Sequence, residues 1–435
     1  MRKSWIFVLV LAFAVAGTGL FAHGQSESTT GPVTVQFAYP VAVDAPIAQI
    51  LNGYVAAFEK ENPNITVKTV YSGGYPDVET AIQTAVQGGG QPPAIGVMLA
   101  ADLYDLVNAG YIQELNPYLD KMKNKDAYLS NFLPAFLTNS EFNGKIWSLP
   151  FQRSDVVMYY NKDLFKQNGL AAPDSWDSLA KDAQALTVTS GGTTSRWGIL
   201  WSSVGLPYWL FQPLAIGAGQ NIVGTSDTTV YFNNPAVIDA IKYYISLSQT
   251  YHATPPGAQD TWGVSPTDLA SGRAAMIVHS SGSLATILKQ SNFDVGVMAV
   301  PGKKAGTYAS VPGGGNIYIM KGASAAQKEA AFKFVLFLTQ PDLVADFSIK
   351  TGYVATEKSA YDVPAMKEYL AKVPQAAAAR DAMNYAGKEM SVQNLGKVRS
   401  IFENYLQQAF NGKISAAEAM QKAQVEADAA LKPYK

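Results

Sequence analysis

At 435 residues the chain is longer than one hydrophobic core usually organises, so two domains are expected. A content of 48% hydrophobic and 15% charged residues excludes a disordered chain, and 33 basic against 34 acidic residues give no basis for inferring a basic surface for nucleic acid or a polybasic membrane segment. Cysteine is absent, which excludes disulfides and a thiol for lipid attachment.

At the start of the chain, Arg2 and Lys3 precede an apolar run at 5–16, and the small-residue stretch Ala22-His23-Gly24 follows. That pattern predicts a cleaved secretory signal over 1–24 and a mature protein beginning near Gln25. The apolar run is too short to span a bilayer. The expected location is the periplasm, reached by export and without a lipid anchor.

Strands and helices then alternate. Val33, Val35, Phe37 and Tyr39 fall at period two and predict a first strand, and Ile47, Leu51, Tyr54, Val55 and Phe58 recur at helical spacing until Asn62-Pro63 ends the helix. Residues 65–71 predict a second strand, and 94–99 a third after the breaker Gly88-Gly89-Gly90. The rhythm continues through 156–160 and 293–300 and implies an α/β fold with a mostly parallel sheet. Near the end, Val398, Ile401, Phe402, Tyr405 and Leu406 form one helical apolar face, and 416–430 predict a last helix.

No Pro-, Ser- or charge-rich linker divides the chain, so the two lobes are expected to interleave, with crossings at 149–157, 297–303 and 351–359. The expected division is lobe I from 25–150 and 303–350, and lobe II from 151–302 and 351–435.

The chemistry of most enzymes is missing. There are three histidines, no His-x-x-x-His pair and no cysteine cluster to ligate a metal, and no Gly-x-Ser-x-Gly elbow. Gly313-Gly314-Gly315 lacks the Lys-Ser/Thr of a phosphate loop, so nucleotide hydrolysis is not expected. Asp102 and Asp155 are the carboxylates to suspect for glycoside hydrolysis, set against surface or hinge roles.

Binding residues are more plentiful. Ser280-Ser281-Gly282-Ser283 offers hydroxyls and N–H groups, either for an anion or as caps of a helix starting near Leu284. Tyr75 lies in the turn-rich Ser72-Gly73-Gly74-Tyr75-Pro76, as an exposed loop residue or a hydroxyl at a cleft edge. Trp197, Trp201 and Trp209 suit a core, or the C–H face of a sugar or glycerol. Arg399, one position from its helix's apolar face, reads as solvated, or as a two-pronged grip on phosphate or carboxylate.

Taken together, Pro150-Phe151, Tyr159-Tyr160-Asn161-Lys162-Asp163-Leu164-Phe165, Pro173 with Ser175-Trp176, Gly272-Arg273-Ala274-Ala275-Met276 and Thr351-Gly352-Tyr353 resemble the extracellular solute-binding proteins of carbohydrate ABC importers. The resemblance spans essentially the whole mature chain. The serine run at 280–285, Gly313-Gly314, Lys350-Thr351-Gly352-Tyr353, Ala360-Tyr361-Asp362 and Asn394-Leu395 with Val398-Arg399 resemble the members that bind glycerol 3-phosphate.

That resemblance implies two α/β lobes closing on a ligand about a hinge, a monomer without cofactor or metal, no catalysis, and delivery to a membrane permease. It implies that Tyr75, Ser154, Ser280, Gly314, Tyr353 and Arg399 surround the ligand, largely its phosphate. Trp201 and Trp209 are approximate counterparts of the aromatic pair that cradles glycerol. The register gives Ala100 or Ala101 where those members hold a glutamate, and Arg153 and Asp155 flank Ser154 where smaller or uncharged residues are expected. A glycerophosphodiester or another phosphorylated solute is therefore expected to fit the polyol end better than glycerol 3-phosphate. A receptor for a neutral sugar, relying on Asp155 and Trp201, and a secreted carbohydrate-cleaving enzyme are the competing readings.

Overall fold

The computed structural model describes residues 31–435, so the signal expected at 1–24 lies outside the described residues. The first predicted elements form where expected. Strand Val33–Tyr39 points Val35, Phe37 and Tyr39 into a core, and helix Ile47–Glu61 covers it with Ile47, Leu51, Tyr54, Val55 and Phe58. Ile65–Tyr71 and Ile95–Leu99 pair on either side of the first strand, both parallel to it.

One nine-stranded sheet runs through both lobes. Its centre is the 13-residue strand Leu149–Asn161, here called the crossover strand. Residues 149–155 of this strand pair with Pro312–Ile319, and residues 156–160 with Ala274–Ser280, so the chain changes lobes inside a single strand. Thr193–Trp201 and Val188–Ser190 extend the sheet beyond Ala274–Ser280, and Val295–Met298 pairs with the end of the crossover strand.

The sheet is mixed, which corrects the expectation of a mostly parallel one. Pairings at the lobe junction are antiparallel, and parallel pairs survive only around Val33–Tyr39 and between Thr193–Trp201 and Ala274–Ser280. The cause is topological. The crossover strand carries the chain into the second lobe and Pro312–Ile319 carries it back, so as neighbours they run in opposite directions.

Two principal cores flank this junction. Phe37, Phe58, Leu149, Ile317 and Phe334 belong to the first, and Val156, Trp201, Leu210, Phe402 and Met420 to the second. The interleaved two-lobed α/β fold is therefore as expected, but two crossings lie later. Val311 still packs in the second core and Ile317 in the first, so the return falls near 311–317 rather than 297–303. The third passage is completed by helices Pro364–Lys372 and Pro374–Ala382, beyond 351–359, the first packed on Val344 and the second on Ile277 and Ile287. Helices Leu395–Phe410 and Ala416–Leu431 close the second core, burying Val398, Ile401, Phe402 and Leu406 as the periodicity predicts.

Candidate functional site

Between the cores lies a cavity of roughly 360 Å³ of atom-free space. Six of the residues singled out in the sequence converge on it: Tyr75, Ser154, Trp209, Ser280, Gly314 and Tyr353. They come from a helix start, the crossover strand, a second-lobe helix, a strand end, the return strand and a helix end.

Tyr75 is not in a loop. It opens helix Tyr75–Gln87, with Pro76 behind it and the Asp77 carboxylate accepting from the Gly74 N–H at 2.6 Å. Pro at the second helical position and Asp at the third are helix-start signals. The positive end of that helix dipole therefore lies beside the cavity. The Tyr75 hydroxyl is buried and has no hydrogen-bond partner within the protein, and burial beside Tyr353 holds its pKa well above the usual tyrosine value.

The glycine run is the bed on which two site aromatics rest. A Cβ on Gly313 would stand 2.4 Å from the Trp209 indole, and one on Gly315 would stand 2.6 Å from the Tyr75 ring. Between them Gly314 takes φ +90 against the Gln152 carbonyl, and the strand shifts register just after Gly315. Only glycine fits a position with both positive φ and so close a backbone approach. The Trp209 indole N–H is fixed by donating to the Pro312 carbonyl at 2.9 Å.

The Lys350-Thr351-Gly352-Tyr353 motif ends helix Pro341–Thr351 with Gly352 in the left-handed conformation. The chain then turns Tyr353 inward, where it is 3% exposed and packed on Gly282 and Phe347. Its hydroxyl accepts from the Gln152 amide at 3.2 Å. Ser280 closes strand Ala274–Ser280, and its Oγ accepts from the Gly282 N–H at 3.1 Å, capping the short turn before helix Leu284–Gln290.

Three expected residues stand elsewhere. Trp201 lies in the second core, fully buried, with its indole N–H on the Leu210 carbonyl, because the end of its strand faces helix Pro207–Gly217 rather than the cleft. Asp155 is fully buried and does not line the cavity; Ser310 donates to one carboxylate oxygen and the other has no partner, and burial pushes its pKa up to about 7. Arg399 stands behind the wall, its guanidinium 5.8 Å from the Tyr208 ring centre and 3.9 Å from the Asp102 carboxylate. Tyr208 lines the cavity, so Arg399 reaches it through that ring. Burial lifts Asp102 to about 7 against the pull of Arg399.

Residues 53–375 match the model of the bacterial extracellular solute-binding proteins. The chain belongs to that family. Its members are non-enzymatic receptors that hand small molecules to ABC importers. Relatives of this solute-binding protein include the sn-glycerol-3-phosphate-binding periplasmic protein UgpB of Pectobacterium atrosepticum, 26% identical over 90% of each chain, and that of Escherichia coli K12, 26% identical over 93% of each. The fold is shared with UgpB of Mycobacterium tuberculosis in complex with glycerophosphocholine, at a TM-score of 0.81 and 23% identity over 91% of this chain and 98% of that one. It is also shared with a maltose-bound protein of T. maritima, at 0.78 and 20% over 93% and 100%.

In this solute-binding protein the cavity also holds a carboxylate that sequence reading missed. The expected glutamate position falls on Ala100 or Ala101, but Glu389 lines the cavity from an irregular segment that Gln212 and Asn221 anchor through the Lys388 carbonyl. Arg153 explains its presence. Fully buried in the crossover strand, the guanidinium bonds Glu389 at 3.1 Å and the Gly314 carbonyl at 3.2 Å and packs on Phe136. A fully buried arginine signals a buried counter-ion, though not which residue supplies it. Burial still raises Glu389 to about 7. Tyr208, Leu206 and Trp262 complete the aromatic and apolar wall, with Trp262 stacked on His279 at 4.0 Å.

Proposed function

We propose that this protein captures glycerol 3-phosphate or a glycerophosphodiester in the periplasm and delivers it to an ABC permease. The observation that carries the reading is the convergence of Tyr75, Ser154, Ser280, Gly314 and Tyr353, from six separate chain segments counting Trp209, on one inter-lobe cavity. Hydroxyl and N–H donors, a helix N-terminus and the cations Arg153 and Arg399 nearby suit a phosphate, while Trp209 and Tyr208 suit the carbon skeleton. Glu389 would accept from glycerol hydroxyls. The glycerol-3-phosphate-binding relatives support the same choice.

A neutral sugar is favoured by one feature, the Trp209–Trp262 wall facing a carboxylate. Titration calorimetry of the ligand-stripped protein separates the two: glycerol 3-phosphate binding with silence from maltose supports the proposal, and the reverse overturns it. We further read the receptor as a monomer released by signal cleavage, since the sequence has no cysteine for a lipid.

A further inference from the structure

The segment 388–396 lies between the lobes and bonds to both. On the second-lobe side Gln212 and Asn221 hold its Lys388 carbonyl, and the Gln393 N–H and side-chain amide both donate to Asp227, at 2.7 and 2.8 Å. On the first-lobe side Asn139 donates to Glu389 at 2.9 Å, the Ser391 hydroxyl donates to the Ala101 carbonyl at 2.7 Å, and Asn108 donates to the Gln393 side-chain oxygen at 2.7 Å. Glu389 brings this segment to the cavity, and Leu99, just before Ala100 and Ala101, lines the cavity from the first lobe.

The segment ends by starting helix Leu395–Phe410, and that helix does not cap itself. Its N-cap residue Asn394 stands in the left-handed conformation, φ +52, and gives its side-chain amide to the Ala430 carbonyl. The first N–H groups of a helix need acceptors from elsewhere. Two of them are met by Asp105, from the short first-lobe helix Leu103–Asn108: its carboxylate oxygens accept from the Leu395 N–H at 3.3 Å and the Gly396 N–H at 3.1 Å. A carboxylate there also meets the positive end of the helix dipole. Leu103 and Leu106 fix the capping residue's helix in a core with Ala38, Val78 and Met98, whereas Leu395 and Val398 fix the capped helix in the second core. The two ends of the cap ride on different bodies, so any parting of the lobes breaks it.

We infer that Asp105 is a positioning residue acting across the cleft: it caps helix Leu395–Phe410 from the other lobe when the lobes close on a solute, and so holds the Glu389 segment over the cavity. Asp105 does not itself line the cavity. A bond made in the closed state and absent from the open one adds to solute affinity, whatever the solute.

The test is calorimetry and ligand-free urea unfolding of wild type, Asp105→Ala and Asp105→Asn, the last of which keeps an acceptor oxygen. Calorimetry uses glycerol 3-phosphate, or maltose should wild type bind that instead; the latter case overturns the proposed function and leaves this test standing. Expected is a loss of about fivefold in affinity for Asp105→Ala, the scale of one helix cap, a smaller loss for Asp105→Asn, and a wild-type urea midpoint for both ligand-free variants. Unchanged affinity in Asp105→Ala overturns the inference, as does equal weakening by both variants. A lowered midpoint for ligand-free Asp105→Ala also overturns it, because the cap would then form without a solute and serve only to hold the fold.

Discussion

Gly315→Ala adds one methyl under the site. Its Cβ would meet the Tyr75 ring at 2.6 Å, a Val97 methyl at 2.8 Å and the Met98 carbonyl at 3.0 Å. Val97 and Met98 belong to strand Ile95–Leu99, paired with the return strand and unable to yield, so Tyr75 must move toward the cavity. Overpacking of this order costs about 1–3 kcal/mol of stability. Moving the Tyr75 hydroxyl off a phosphate removes a hydrogen bond to a charged group, about 1.5–3 kcal/mol, or roughly ten- to a hundredfold in affinity. Urea unfolding gives the first quantity and calorimetry with glycerol 3-phosphate the second. Tyr75→Phe is the control: it should lose similar affinity with no loss of stability, because the hydroxyl it removes has no partner in the protein. A destabilised Gly315→Ala protein that binds with wild-type affinity would refute the claim that the glycine run positions Tyr75 for the ligand.

Arg399→Ala should weaken glycerol 3-phosphate by on the order of 1 kcal/mol, measured by calorimetry, because the guanidinium acts on the ligand only across the Tyr208 ring; unchanged affinity would leave Arg399 a partner of Tyr208 and Asp102 alone. Tyr353→Phe should cost about 1 kcal/mol of binding, and a similar loss in urea unfolding because the Gln152 amide loses its acceptor; full retention of affinity would leave Tyr353 a packing residue. For Asp155 the folded state keeps a proton up to about pH 7 that the unfolded chain, with the ordinary aspartate value, releases near pH 4. Stability therefore falls as pH rises through that window, by up to about 4 kcal/mol. Asp155→Asn should match wild type near pH 4 and exceed it increasingly toward pH 8 in thermal melts; parallel melting curves for the two proteins would contradict this.

The sequence was most legible where one periodicity reports one buried face. Val33–Tyr39, Ile47–Glu61 and Leu395–Phe410 each pack against a single core, so their apolar spacing is their packing. Strand direction leaves no such mark, because the antiparallel return of Pro312–Ile319 depends on where the chain has been rather than on its own residues. The same limit governs the site. Trp201 and Trp209 are equally apolar, and only the packing of helix Pro207–Gly217 decides that one is core and the other wall. Tyr75 carried readable helix-start signals in Pro76 and Asp77, outweighed by the glycines before it. Glu389 was the least legible, since its segment has no periodicity and its partner Arg153 lies 236 residues away.

The most direct measurement is a crystal structure of the protein grown with glycerol 3-phosphate. The account predicts the phosphate within hydrogen-bond reach of the Tyr75, Ser154, Ser280 and Tyr353 hydroxyls and the Gly314 backbone, with the glycerol carbons against Trp209 and Tyr208. A phosphate bound outside this cavity, or the cavity occupied by a sugar carried through purification and not exchanged by glycerol 3-phosphate, would contradict it.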